Sequence, residues 1–246
     1  MKILMMASGD FGAKAVTWVL ENYKTDLAAV ITTEKNDVSS RCRATVIPTC
    51  IYENENNLLS WLDINSITFD VGFLAWWPRI LGPSVLTRAS HGFFNTHPSF
   101  LPHNRGKHYN FWALVEQAPF GVTIHRVDAR VDSGPIIAQC PIAYDWTDNG
   151  ETLYTKAQSA MFDLFKRTFP ILQCGNFIET PQSPHVGSFH FASELDAAST
   201  VELDRSYTAR DLLNLLRART FTGHPACRFV DQGEAFEVRV EIKRVK

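Results

Sequence analysis

Over its first 175 residues the chain alternates short apolar runs with amphipathic stretches, and that alternation restricts the fold more than any other feature. Residues 2–6 form a mostly apolar run that passes straight into Ser8-Gly9-Asp10-Phe11-Gly12 and then into an amphipathic stretch over 13–23. Strand, glycine turn, helix is the opening of a parallel α/β unit, because parallel neighbours need a crossover between them. Residues 27–32 give a second β-branched run, 45–51 a weaker third interrupted by Pro48, and 69–74 a strand of the fully buried type. Further strands are predicted over 92–95, 121–127 and 135–142, and helices over 57–62, 79–88 (broken by Pro83) and 109–117. Asp148-Asn149-Gly150-Glu151 has the spacing of a capping box, with a helix over 151–173 bent at Pro170. The expected class is α/β, a Rossmann-like, doubly wound, mostly parallel sheet.

After Gly175 the texture changes. Pro181, Pro184, Gly187 and several serines mark an irregular link, Thr208-Ala209-Arg210-Asp211 starts a helix through Arg219, and alternating residues over 226–230 and 235–245 flank Asp231-Gln232-Gly233 as a hairpin. The chain divides on this reading into a larger part, 1–178, and a helix-plus-β-hairpin subdomain, 179–246. The second is too small for a comfortable independent core, so it packs on the first part or on a second subunit.

Lys+Arg 24 against Asp+Glu 26 gives a net charge of −2, which argues against a protein gripping nucleic acid by bulk electrostatics. No apolar run approaches the roughly 18 residues that span a bilayer, and the start lacks a cleavable signal pattern, so the expectation is a cytoplasmic protein without membrane contact. The cysteines at 42, 50, 140, 174 and 227 form no CxxC pair and are odd in number, which suggests neither structural zinc nor a disulfide framework.

The glycine turn is not G-x-G-x-x-G, and the next strand ends Ile31-Thr32-Thr33 without an acid, which disfavours a nicotinamide dinucleotide. Ser8, Gly9, Asp10 and Phe11 could still hold a phosphate at a helix start, or form only a tight turn. The chemistry-rich region is 91–140, where four of the eight histidines fall between positions 91 and 108. Asn95 and His97 alternate by two at a strand end and so share a face. Asp132 precedes Ser133-Gly134, a turn able to carry its carboxylate back over the sheet. Amide, imidazole and carboxylate suit acyl transfer. The amide donates to an oxyanion, the imidazole moves a proton, and the carboxylate orients the ring. A structural histidine and a common Asp-Ser-Gly turn would also account for these residues.

The block Phe94-Asn95-Thr96-His97-Pro98-Ser99, Leu101-Pro102, Asn104-Arg105-Gly106 and Val131-Asp132-Ser133-Gly134-Pro135-Ile136-Ile137 resembles the 10-formyltetrahydrofolate-dependent formyltransferase family. The resemblance spans roughly residues 1–175 and is strongest over 70–140. It implies Asn95, His97 and Asp132 as the catalytic residues. It also implies a folate slot bordered by Trp76, Trp77, Arg79, Ile80 and Leu81 on one side and Asp128, Ala129 and Arg130 on the other. A packed strand end is the plainer reading of the two tryptophans. Leu101-Pro102-His103-Asn104-Arg105-Gly106 and Asn110-Phe111-Trp112, with the helix-plus-hairpin tail, look like the sugar N-formyltransferase branch, although Tyr109 stands where a proline is expected.

Methionyl-tRNA formyltransferases usually run longer and more basic, and glycinamide ribonucleotide formyltransferases are shorter. The implied reaction moves a formyl group from 10-formyltetrahydrofolate to the amine of a nucleotide-linked aminodeoxysugar, such as dTDP-4-amino-4,6-dideoxyglucose, with no metal. Products of this kind feed bacterial surface polysaccharides such as the O-antigen of lipopolysaccharide. His103, Arg105 and Lys107 would face the diphosphate, or else belong to a solvated loop. A homodimer through the tail is also implied. A formyltetrahydrofolate hydrolase, a methionyl-tRNA formyltransferase-like enzyme and a silent folate or nucleotide-sugar binding module are the rival readings.

Overall fold

A computed structural model describes residues 1–34, 37–183 and 185–245, with the side chains of residues 37, 41 and 43 left aside. Pro184, one of the residues marking the link, lies outside the described residues. The elements run β1 (Ile3–Ala7), α1 (Gly9–Asn22), β2 (Leu27–Thr32), α2 (Asp37–Ala44), β3 (Thr49–Ile51), α3 (Glu55–Ile64), β4 (Val71–Ala75), α4 (Pro83–Leu86), β5 (Phe93–His97) and β6 (Arg105–Gly106). They continue with α5 (Tyr109–Val115), β7 (Gly121–Arg126), β8 (Ile136–Pro141), α6 (Gly150–Cys174), β9 (Phe189–His190), α7 (Glu194–Ala198), α8 (Ala209–Ala218), β10 (Cys227–Asp231) and β11 (Glu234–Val238).

Seven strands form one sheet in the order β3-β2-β1-β4-β5-β7-β8. The first five are parallel, β7 runs antiparallel to β5, and β8 antiparallel to β7. β1 explains why a continuous apolar run suits the centre of such a sheet. Ile3, Met5 and Ala7 enter one core with Phe11, Val16, Phe73, Phe165 and Phe169. Leu4 and Met6 enter the other with Leu58, Leu62, Trp77, Val85 and Phe93. Each face is thus covered by helices, and every residue of β1 is buried. Phe165 lies at the middle of the first core, its ring 5.1–6.2 Å from those of Phe11, Trp18, Phe73 and Phe169. On the other side, Gly72 of β4 makes room for the ring of Phe93, which a Cβ there would meet at 2.1 Å.

Four local expectations change. The helix α2 was not anticipated, because Asp37–Ala44 carries too few apolar residues to show a helical stripe. α4 spans only Pro83–Leu86, since proline suits the first turn of a helix and here begins one instead of breaking it. The capping box of α6 is shifted by one residue: Asn149 Oδ1 accepts from the Thr152 amide at 2.9 Å, and Thr152 Oγ1 accepts from the Asn149 amide at 2.9 Å. Asp148 instead takes the Lys156 ammonium at 2.7 Å. The second hairpin strand ends at Val238, well short of residue 245.

The tail joins the main body. Leu195, Leu215, Ala218 and Cys227 belong to the same buried cluster as the α1 and α6 side chains. Arg217, 5% exposed, donates from Nη1 to the carbonyls of Asp145 (2.5 Å) and Asp148 (2.9 Å), and β9 pairs with β6. Among the described residues no helix is long and apolar enough to cross a membrane.

Candidate active site

Residues 93, 95 and 97 of β5 point to one face, and the burial of Phe93 against α3 and α4 side chains fixes which face that is. Across the antiparallel ladder Asn95 is opposite His125 and His97 is opposite Thr123. Asp132 returns to this pair from the connection between β7 and β8, where its φ of +53° turns the backbone sharply. Ser133 closes that turn by donating from Oγ to the Arg130 carbonyl at 2.9 Å. Gln182 pins it from the link after α6, its Nε2 donating to the carbonyls of Asp132 (3.0 Å) and Gly134 (2.7 Å).

The three expected residues therefore converge, with a fourth. His97 Nδ1 is 3.3 Å from Asp132 Oδ2, which also accepts from the Gly106 amide at 3.0 Å. Asp132 Oδ1 is 3.5 Å from both Asn95 Nδ2 and His125 Nε2. The other nitrogen of His97, Nε2, lies 3.3 Å from the Asn104 carbonyl. Tyr109, the residue that departs from the expected proline, sets its ring 6.0 Å from that of His97.

Charge follows from burial and partners. The His97 and Asp132 side chains are 6% and 9% exposed. Burial pulls the His97 imidazole below its ordinary range, and the Asp132 carboxylate only partly offsets this. Burial works to raise the Asp132 carboxyl, but His97, His125 and the Gly106 amide together hold it well below the usual carboxylate range. Asp132 is thus an anion beside a neutral ring. The carboxylate beside Nδ1 assigns the neutral ring's proton to that nitrogen, which leaves Nε2 as the basic one. Such a ring can take up a proton, with an anion behind it and an amide next to it.

The other expected site residues divide by burial. Phe11, Trp77 and Leu81 are buried, Phe11 edge-on to Trp76 at 4.8 Å and Trp77 edge-on to Tyr52 at 5.3 Å. Trp76 stacks on Tyr154 at 6.0 Å, with its own φ at +55°. Both tryptophans therefore pack on tyrosine rings at the end of β4. Gly9, Asp10, Arg79, Ile80, Asp128, Ala129 and Arg130 are exposed. Ser8 is half-buried, with Oγ 3.2 Å from Thr33 Oγ1. Of the expected loop residues, Arg105 is tied through Nε to the Ser188 carbonyl (3.3 Å), Lys107 is exposed, and half-buried His103 gives its carbonyl to Ser99 Oγ (2.7 Å).

Sequence reasoning missed His125, Asn104, Gly106 and Gln182. His125 was findable: Val122 and Ile124 face the core, so Thr123 and His125 form a polar edge on an otherwise apolar strand. Nothing local marks Gln182, whose part depends on a contact 50 residues away.

Comparison with known proteins gives the lineage. A formyl transferase family model matches residues 1–168, and a model for the N-formyltransferase dimerization C-terminal domain matches residues 194–244. A sugar N-formyltransferase from a Shewanella species has 20% identity, with all of both chains covered and a TM-score of 0.82. A 4-N formyltransferase from Francisella tularensis has 19% identity, 99% and 98% coverage of this chain and that one, and a TM-score of 0.83. An N-formyltransferase from Helicobacter canadensis, solved with folinic acid and dTDP-3-aminofucose, has 17% identity, 95% and 85% coverage and a TM-score of 0.75. These structural likenesses establish a shared fold. With the first model spanning well over half of its residues, and strands, helices and polar cluster in place, the chain belongs to the formyl transferase family.

Proposed function

We propose that this formyltransferase moves the formyl group of 10-formyltetrahydrofolate to the free amine of a nucleotide-linked aminodeoxysugar, for which dTDP-4-amino-4,6-dideoxyglucose is the first candidate. The observation that carries the reading is the convergence of Asn95, His97 and Asp132 on one buried point, with His97 neutral and Asp132 ionised. That donor set fits a formyl group: an amide N–H for the oxygen that becomes negative, and an uncharged base for the proton.

In this reading the sugar nitrogen attacks the formyl carbon, and Asn95 Nδ2 donates to the oxyanion that forms. His97 Nε2 accepts the proton released by the amine and returns it to the folate nitrogen as the old carbon–nitrogen bond breaks. Asp132 steadies the imidazolium between the two transfers. Trp76, Trp77, Arg79, Ile80, Leu81 and Asp128, Ala129, Arg130 border the folate; the buried Trp77 and Leu81 do so from behind the slot. Ser8, Gly9, Asp10, Phe11, His103, Arg105 and Lys107 serve the nucleotide-sugar side. The nucleotide sugar and folate bound to the Helicobacter relative support this choice of partners.

Residues 1–178 form the catalytic part and 179–246 the subdomain through which two copies meet, a reading supported by the match to a dimerization domain. In this reading the reaction takes place in the cytoplasm. Incubation with 10-formyltetrahydrofolate and a panel of dTDP-, GDP- and UDP-linked amino sugars, followed by mass measurement, tests the proposal. A formylated sugar that disappears with His97→Gln supports it. Equal release of formate with and without any sugar would make the protein a hydrolase instead.

A further inference from the structure

Residues 169–193 fall between the two regions matched to family models, yet they hold the loop that touches both His97 and Asp132. That loop is Asn104–Gly106. The Asn104 carbonyl faces His97 Nε2, and the Gly106 amide donates to Asp132 Oδ2. β9 pairs with it: the Arg105 amide donates to the Ser188 carbonyl (3.0 Å) and the Lys107 amide to the His190 carbonyl (3.0 Å). Gly106, at φ +89°, lies so close that a Cβ would stand 2.2 Å from the His190 carbonyl oxygen.

A side-chain chain reinforces the backbone. Glu116, just past α5, accepts on Oε2 from Asn104 Nδ2 (2.8 Å) and from Ser188 Oγ (2.7 Å). Its Oε1 meets His190 Nε2 at 2.7 Å, while His190 Nδ1 meets Glu194 Oε2 at 2.9 Å. The His190 ring lies flat on Trp112, centroids 3.7 Å apart and planes 7° from parallel, so it has a fixed place one turn before Glu116. Asn104 itself is wholly buried and held at φ +53°, a backbone state that needs surrounding contacts to persist.

We propose that Glu116 and His190 are positioning residues, which fix the Asn104 carbonyl so that it accepts a proton-bearing His97 Nε2 and thereby sets how readily His97 is protonated. The proposal rests on the reading above that His97 handles the proton. The groups facing His97 are Asp132, His125, Lys107 and Tyr109; those facing His190 are Glu116 and Glu194. The Asn104 carbonyl favours the charged ring, so its displacement must move His97 further down from its ordinary range.

The test follows the ¹⁵N signals of His97, assigned with His97→Gln, during a pH titration of the full chain, its Glu116→Ala and His190→Asn variants and the milder Glu116→Gln. The expected result is a His97 midpoint at lower pH in the variants. With the best sugar of the panel, kcat should fall about 10- to 100-fold while KM for folate and sugar stays within about twofold. Recovery towards wild type in Glu116→Gln, which keeps one acceptor oxygen, also supports the proposal. An unmoved His97 midpoint in Glu116→Ala or His190→Asn, in a variant that keeps the wild-type circular dichroism, overturns it. Should Glu116→Ala unfold, His190→Asn alone is judged by the same criterion. A wild-type protein that formylates no sugar would defeat the functional reading alone, since the titration needs no substrate.

Discussion

Asn95 and His125 stand opposite one another in the β5–β7 ladder, with Nδ2 and Nε2 3.4 Å apart, and both address the same oxygen of Asp132. The arrangement depends on β7 running against β5, because directly opposed residues of an antiparallel pair share a face. One carboxylate oxygen is therefore steadied by strand side chains, and the other by His97 and a loop amide. His125 thus shares the Asp132 carboxylate with Asn95 and His97.

His125→Ala takes a partner from a buried carboxylate. It should lower stability at pH 7 by about 1.5–3 kcal/mol, the range for hydrogen bonds to charged groups. Urea unfolding of the two proteins measures it, and a difference within error would show that Asn95, His97 and Gly106 suffice.

His97→Gln keeps the side-chain volume and loses the base. Turnover should drop by about 10²–10⁴-fold with the fold intact. Near-full turnover in a folded variant would contradict the assignment of the proton to this ring.

Asn95→Ala removes the proposed oxyanion donor. A loss of about 10²–10³-fold in kcat is expected, with KM for the folate donor little changed, because the contact strengthens only as negative charge develops. A change confined to KM would recast Asn95 as a binding residue.

The pH profile carries a sign. His97 must be neutral to accept a proton, so activity is lost as pH falls through its pKa, and burial places that acid limb below the ordinary histidine value of about 6.5. Asp132 opposes the shift, so Asp132→Asn should move the limb to still lower pH while reducing the plateau rate. A limb displaced upward in Asp132→Asn would refute this electrostatic account.

The first core offers a check on the scaffold apart from chemistry. Phe165 is fully buried among four aromatic rings, and Phe165→Ala should cost about 3–5 kcal/mol. Thermal and urea unfolding would reveal it.

The sequence shows its strands well where burial on both faces leaves an unbroken apolar run, as in β1, β2 and β4. It hides α2, whose apolar stripe is only Val38 and Cys42, and it misplaces the α6 cap by one residue because Asp148 and Asn149 are equally good acceptors. A strand's two-residue period puts Asn95 and His97 on one face, but it is the family resemblance that joins Asp132 to them. Asn104, Gly106 and Gln182 were not legible, since two of them contribute backbone groups, which no side-chain pattern encodes, and the third acts through a distant contact. The family resemblance sets Trp76 and Trp77 beside a folate slot, and what the sequence does not show is their packing on Tyr154 and Tyr52 where β4 ends.

The missing side chain of Gly72 and the ring of Phe93 fill one space between β4 and β5, two residues ahead of Asn95. Neither position can drift alone. A methyl group at 72 would push the ring, and with it the strand bearing Asn95 and His97, while a smaller residue at 93 would open a void. Homologous chains with alanine or serine at the first position should therefore have exchanged the phenyl group for something slimmer at the second, a paired substitution that records how tightly the placing of the amide and imidazole is bound to a single gap in the sheet.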